Sequence, residues 1–186
     1  MLHNNGTVIA ITTKPNHAEF QKSILLSEYY HGTSTFPFPA GAIQLMGKTD
    51  PDTLKGLLEE QYGKDWGYDL DYYGRHTIDF FITAEDLPKH ENRVILRPDG
   101  AIQLLYHPNN LKAYEHLRSK LIQMLDEINS QYEYGILGYM GYKLGISGVS
   151  HQSGTCRFGL DAMTSVLDTN CKAHDLDNLY VVDTSF

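Results

Sequence analysis

The densest run of chemically capable side chains is His151-Gln152-Ser153-Gly154-Thr155-Cys156-Arg157-Phe158-Gly159, followed by Val166-Leu167-Asp168 and then Asn170-Cys171-Lys172-Ala173-His174-Asp175. Three kinds of chemistry compete for these residues. His151 and Cys156 with Cys171 and His174 carry the donor types of a zinc site, and Cys171-x2-His174 is a usable ligand pair, although His-x4-Cys is not a common half-site. Cys156 with His151 as its base would be a nucleophilic pair, but such partners ordinarily meet through the fold rather than across one short loop. His151 alone, on a loop framed by Gly148, Gly154 and Gly159, would be an acid/base group presented to a ligand that another part of the protein binds. An imidazole suits that task, because it can accept a proton near physiological pH and later return it. Residue type and spacing leave the three open.

The elements that must position these groups fall into two textures. Val8 to Thr12, Ala42 to Met46 and Thr77 to Thr83 read as strands. Asp50 followed by Pro51 reads as an N-cap and first helical position, with Leu54, Leu57 and Leu58 on one face and Gly63 at the end. Arg93 to Leu96 and Ala101 to Tyr106 flank Pro98-Asp99-Gly100, which predicts a hairpin. Asn110 can cap a helix running to about Asn129, whose apolar residues Leu111, Tyr114, Leu117, Leu121, Leu125 and Ile128 recur at threes and fours. The expected fold is α+β, with an antiparallel sheet covered by helices on one face. Asp65, Asp69 and Asp71 alternate with Trp66, Tyr68, Tyr72 and Tyr73 in a stretch that reads as an exposed loop.

From Gly135 onward the texture changes. Glycines at 135, 138, 141, 145, 148, 154 and 159 require a backbone that turns sharply or approaches something closely. The division expected from sequence is therefore 1–134 and 135–186. An apolar strand from Leu179 to Val182 ends at Asp183, and with no helix after it to cover its face the chain reads as part of a larger protein.

Composition narrows the function classes. The chain has 186 residues, enough for a core without staples, and 15 Lys and Arg against 23 Asp and Glu give a formal charge of -8. With no basic run, this balance argues against nucleic acid or an anionic membrane as partner. The apolar stretch Val8 to Ile11 is too short for a signal-peptide core, and no run reaches the roughly 18 apolar residues of a membrane span. Two cysteines fit a reducing compartment, so the expected location is cytoplasmic.

The run His151 to Gly159, with Val166-Leu167-Asp168-Thr169-Asn170-Cys171-Lys172-Ala173-His174-Asp175-Leu176-Asp177-Asn178-Leu179-Tyr180-Val181-Val182-Asp183-Thr184-Ser185, resembles the C-terminal signature of the glucose-methanol-choline (GMC) flavin oxidoreductases. Thr83 to Val94 and Tyr106 to Ala113 are similar to that family's substrate-domain segment before its long helix. The likeness covers about residues 76 to 186. It implies FAD-dependent oxidation of an alcohol or sugar: hydride passes from the carbinol carbon to the flavin while His151 takes the hydroxyl proton. It also implies that Asp183 lies beside the flavin and helps to position it. Gln152 stands where many members have Pro, and Phe158 where many have Met. The family's Gly-x-Gly-x-x-Gly pyrophosphate fingerprint is not in the chain, and the resemblance implies that its second catalytic residue, a His or Asn before a Pro, falls beyond Ser185-Phe186. On this reading residues 1–134 are an incomplete substrate-domain-like region. Residues 135–186 are a catalytic loop and a final strand returning to a flavin-binding domain outside the chain, and the chain alone is inactive.

Two other functions stay open beside that one: a ligand-binding or interaction module that kept the fold without catalysis, and a zinc-binding domain. Of the remaining histidines, His76, His90, His107 and His116 read as solvated or core-edge, and His174, without zinc, as structural. Cys156 and Cys171 read equally as small buried apolar residues. Tyr132, Tyr134, Tyr139 and Tyr142 could line a pocket or simply pack.

Overall fold

Strand β1, His3–Thr12, is buried along both of its faces from Asn4 onward, and this decides the architecture around it. The structure is a computed structural model that describes residues 2–18, 22–63 and 69–186. The other elements are β2 (Leu25–Leu26), β3 (Gly41–Leu45), α1 (Pro51–Tyr62), α2 (Leu70–Arg75), β4 (Thr77–Glu85), β5 (Arg93–Leu96), β6 (Ile102–Leu105), α3 (Leu111–Tyr132) and β7 (Ile136–Met140). A five-stranded sheet has the order β2-β3-β4-β1-β7. The pairs β2/β3, β3/β4 and β1/β7 are antiparallel. Thr12 N donates to His76 O at one end of β1 and the Asn4 amide donates to Glu85 O at the other, so β1 and β4 also run in opposite directions.

Alternation along β1 supplies both layers. Val8 and Ala10 join Ile43, Phe80 and Ile82 against Tyr114, Leu117, Leu121 and Leu125 of α3. Ile9 and Ile11 face the other way, into Leu54, Leu57 and Leu58 of α1, with Leu70 and Tyr73 of α2 at the margin. Each of these larger apolar side chains is worth about 1.5 to 3 kcal/mol when fully buried. The expected one-sided sheet is therefore corrected: α1 and α2 cover the second face at β1, because successive strand residues point to opposite sides and both sets are apolar.

Helix α1 follows its sequence signals. The Asp50 carboxylate accepts from Thr53 N at 2.9 Å, which holds that acid below the usual carboxylate range, and Gly63 ends the helix at φ 90. Asp79 from β4 accepts from Thr49 N, fixing the approach to the cap. Helix α3 runs three residues beyond the expected end, and Leu111 and Ile128 of the expected stripe are exposed while Ala113 is buried. Asn110 has φ 52, not the extended backbone of an ordinary N-cap. At the far end the Asn129 side chain accepts from Gly135 N and Ile136 N and donates to Ile136 O, turning the chain into β7. Strand β7 lies in the segment expected to be glycine-rich loop. Gly141, just after it, has φ 138, and any side chain there would collide with the Thr7 carbonyl.

The stretch read as an exposed loop is helical from Leu70, with the Asp69 carboxylate accepting from Tyr72 N at 2.9 Å. Asp65, Trp66 and Tyr68 lie outside the described residues.

The chain divides into two compact units, but not at residue 135. One comprises Asn4–Glu85 and Leu111–Gly145, the sheet and its helices; the other comprises Met1–His3, Asp86–Asn110 and Ile146–Phe186. The second unit holds the β5/β6 hairpin, where Gly100 N donates to Arg97 O at 2.9 Å and the Asp99 carboxylate accepts from Ala101 N. It also holds residues 146–186, which contain one short 3-10 turn, Ile146–Gly148, and otherwise isolated bridges. The expected strand Leu179–Val182 is one of these corrections. Tyr180 makes a single bridge to Lys172, and Val182 is 81% exposed, because among the described residues no second strand lies alongside to extend the ladder.

Candidate functional site

The loop carrying His151 is held by its neighbours. Gln152 Nε2 donates to Val149 O at 2.7 Å and Val149 is buried, so this glutamine closes the loop. Gly154 turns the chain at φ 80, after which Cys156 N donates to Ser185 O at 2.7 Å. His151 itself is exposed. Its ring meets that of His3 edge-on, with centroids 5.4 Å apart and planes at 67°.

The second half of the motif builds a compact knot. Leu167, fully buried, bridges Phe158 on one side and Ala173 on the other. Arg157 O accepts from Val166 N and Leu167 N, both at 3.0 Å. The Asp168 carboxylate accepts from Asn170 N at 2.8 Å and Lys172 N at 3.0 Å, and these bonds hold it below the usual carboxylate range. Cys171 takes the left-handed conformation, φ 65, that this tight turn requires. With the proton assigned to Nε2, His174 donates to Gly159 O at 3.1 Å and faces Ser165 Oγ at 3.0 Å, while the Ser165 hydroxyl donates to Asp161 O. These residues are architecture. The alternative zinc set of His151, Cys156, Cys171 and His174 is not assembled. Among the described residues no three His, Cys, Asp or Glu side chains could hold a metal ion together. Cys156 and Cys171 are free thiols, each partly buried.

Removing the pin tests this assignment. His174→Ala is expected to destabilise the chain by about 1 to 3 kcal/mol, the cost of leaving a part-buried hydrogen-bonding group unpaired, while the far-ultraviolet spectrum stays that of the parent. A urea melt superimposable on the parent's would show that His174 pins nothing.

Asp183 is exposed, and its Oδ1 accepts from Ser185 N at 2.8 Å and from the Ser185 hydroxyl. These bonds hold the carboxyl below the usual range, so it is an anion at neutral pH. No hydrogen bond or ring contact joins it to His151 among the described residues. A groove of about 680 Å³ in the same unit is lined by His90, Arg157, Met163, Ser165, Leu176 and Leu179, with neither His151 nor Asp183 in its wall. His3 is the site neighbour that sequence reasoning missed. It stands at the opposite end of the chain from His151, and no local spacing marks it.

A family model described as GMC oxidoreductase matches residues 88–186, just over half of the chain, and spans both His151 and Asp183. The chain belongs to the GMC oxidoreductase family. A search of the curated proteins found no match. The matched residues are those of the family's C-terminal portion. GMC oxidoreductases are in general FAD-binding, which sets what this chain's residues must be tested against.

The fit of a flavin dinucleotide to these residues is partial. Asp183 is an exposed anionic acceptor whose second oxygen can take a hydrogen bond from a cofactor N–H or O–H. A pyrophosphate needs a glycine-rich turn opening a helix, where backbone N–H groups converge on the anion. The sequence holds no Gly-x-Gly-x-x-Gly, and α1 and α3 begin instead at Asp50-Pro51 and Asn110-Leu111. The acceptor fits; the cradle is not formed by this chain's described residues. Among those residues no helix is long and apolar enough to cross a membrane.

Proposed function

We propose that this GMC oxidoreductase chain is the C-terminal part of an FAD-dependent enzyme that oxidises the CH–OH group of a small alcohol or sugar, with His151 as the proton acceptor. The observation that carries the reading is the presentation of His151. It is exposed on a loop fixed on either side by the Gln152 bond to Val149 and the Cys156 bond to Ser185, inside the segment that matches the family. A general base must reach its substrate's proton to within hydrogen-bonding distance, which an exposed imidazole on an anchored backbone can do.

FAD, when bound, supplies the hydride acceptor. The chain's own contribution is narrower. His151 holds the substrate hydroxyl by accepting its hydrogen bond and then its proton. Asp183, already ionised, offers an acceptor toward the cofactor, and the knot of residues 157–174 keeps the backbone on either side in place. The pyrophosphate site belongs to a portion of the protein outside these 186 residues.

The chain alone is expected to oxidise no alcohol when FAD is added. The complete protein is expected to purify yellow and to bleach under a suitable alcohol without oxygen. Turnover of any alcohol by the isolated chain with FAD would overturn the division of labour. A complete protein without flavin absorbance would favour a ligand-binding module instead.

A further inference from the structure

We propose that His3 is the positioning residue for His151, setting the plane of its ring toward the substrate hydroxyl. The inference rests on His151 being the proton acceptor. The hydrogen bonds around His151 fix its backbone and leave the imidazole two side-chain torsions to choose. A base that must accept a proton at a ring nitrogen is best oriented by a contact that leaves that nitrogen available. An edge-to-face aromatic contact is of this kind, since it constrains the ring plane through the ring's face and edge.

His3 provides that contact, with ring centroids 5.4 Å apart and planes at 67°. The residue is only partly exposed, and the backbone beside it is anchored: Leu2 N donates at 3.0 Å to Oδ2 of Asp86, which is 1% exposed. Asp86 is also the acid whose charge, after burial, pushes the Tyr106 hydroxyl up. The ring of His3 is thus mounted on a fixed point of the same compact unit that carries His151. A ring that sets another's orientation need not itself transfer a proton, so phenylalanine should replace it in part where alanine does not.

Two measurements test this. In the isotope-labelled chain, nuclear Overhauser cross-peaks are expected between the ring protons of His3 and His151. The His151 ring signals are expected to move in His3→Ala and to stay nearer the parent's in His3→Phe. In the complete flavoprotein, His3→Ala is expected to slow flavin reduction by roughly 10- to 100-fold, the scale of a small misplacement of a reacting group. His3→Phe is expected to recover most of that loss, and His3→Ala to cost nothing further in a His151→Ala background. Absence of the cross-peaks in a parent that oxidises alcohols, or equal losses in both backgrounds, overturns the positioning role alone. Should the cross-peaks be present in a complete protein whose flavin no alcohol reduces, the oxidation reading falls, and the role proposed for His3 falls with it, leaving only the ring contact.

Discussion

His151→Ala in the complete flavoprotein is expected to lower the rate of flavin reduction by a good alcohol by roughly 10² to 10⁴, the range for loss of a positioned general base. Flavin content is expected to stay near the parent's. The pairing of these two results is diagnostic. A histidine that supports the fold would take stability and cofactor down together, whereas His151 is exposed and its ring meets that of His3 edge-on. The backbone bonds that hold the loop run through Gln152 and Cys156, so truncating the imidazole leaves them intact. Stopped-flow reduction of bound flavin is the measurement, and equal rates in both proteins would remove His151 from the mechanism.

The largest effect on stability is expected from Leu117→Asp. Leu117 is fully buried where α3 meets Val8, Ala10, Ile43 and Ile82. The substitution forfeits about 1.5 to 3 kcal/mol of apolar burial. It also places a carboxylate in that core, which must either ionise without a partner or take up a proton at further cost. Ordinary domains have about 5 to 15 kcal/mol in total, so the variant is expected to lose its cooperative melt or to collect as aggregate. Leu111→Asp, at the exposed start of the same helix, is the control and is expected to melt close to the parent. A Leu117→Asp chain that melted like the parent would mean that α3 presents another face to the sheet.

What could be read beforehand was whatever local chemistry decides. Asp50, Pro51 and Gly63 bound α1 because a cap, a pre-set φ and a glycine end act within one turn, and Pro98-Asp99-Gly100 makes its hairpin for the same reason. The candidate residues His151 and Asp183 were named from the same kind of local run, one in residues 151–159 and the other in 166–185. What long-range partners decide was not legible. Asn4, Asn5 and Thr7 are polar and yet buried in β1, so the apolar pattern marks only the strand's second half. Strand β7 contains Gly138 and pairs with a strand from the far end of the chain. Leu179 to Val182 shows the opposite error, since an apolar run records what would favour burial and carries no information about whether a second strand lies beside it. His3 is invisible for the same reason as β7.

The unit that carries His151 is assembled from three separate stretches, residues 1–3, 86–110 and 146–186, whereas the sheet unit is finished at Gly145. This fixes an order during synthesis. Once Gly145 has emerged, every strand and helix of the sheet is available to fold, while the histidine loop, its glycines and the knot around Leu167 are still to come. The closing contacts of that last stretch span nearly the whole chain, from His3 to His151, so they form late if contact distance governs the rate. A stop codon or a protease cut just after Gly145 would therefore leave a product with a complete five-stranded sheet and none of the residues assigned to chemistry. Detection of this protein by an antibody to its sheet would report abundance and say nothing of activity.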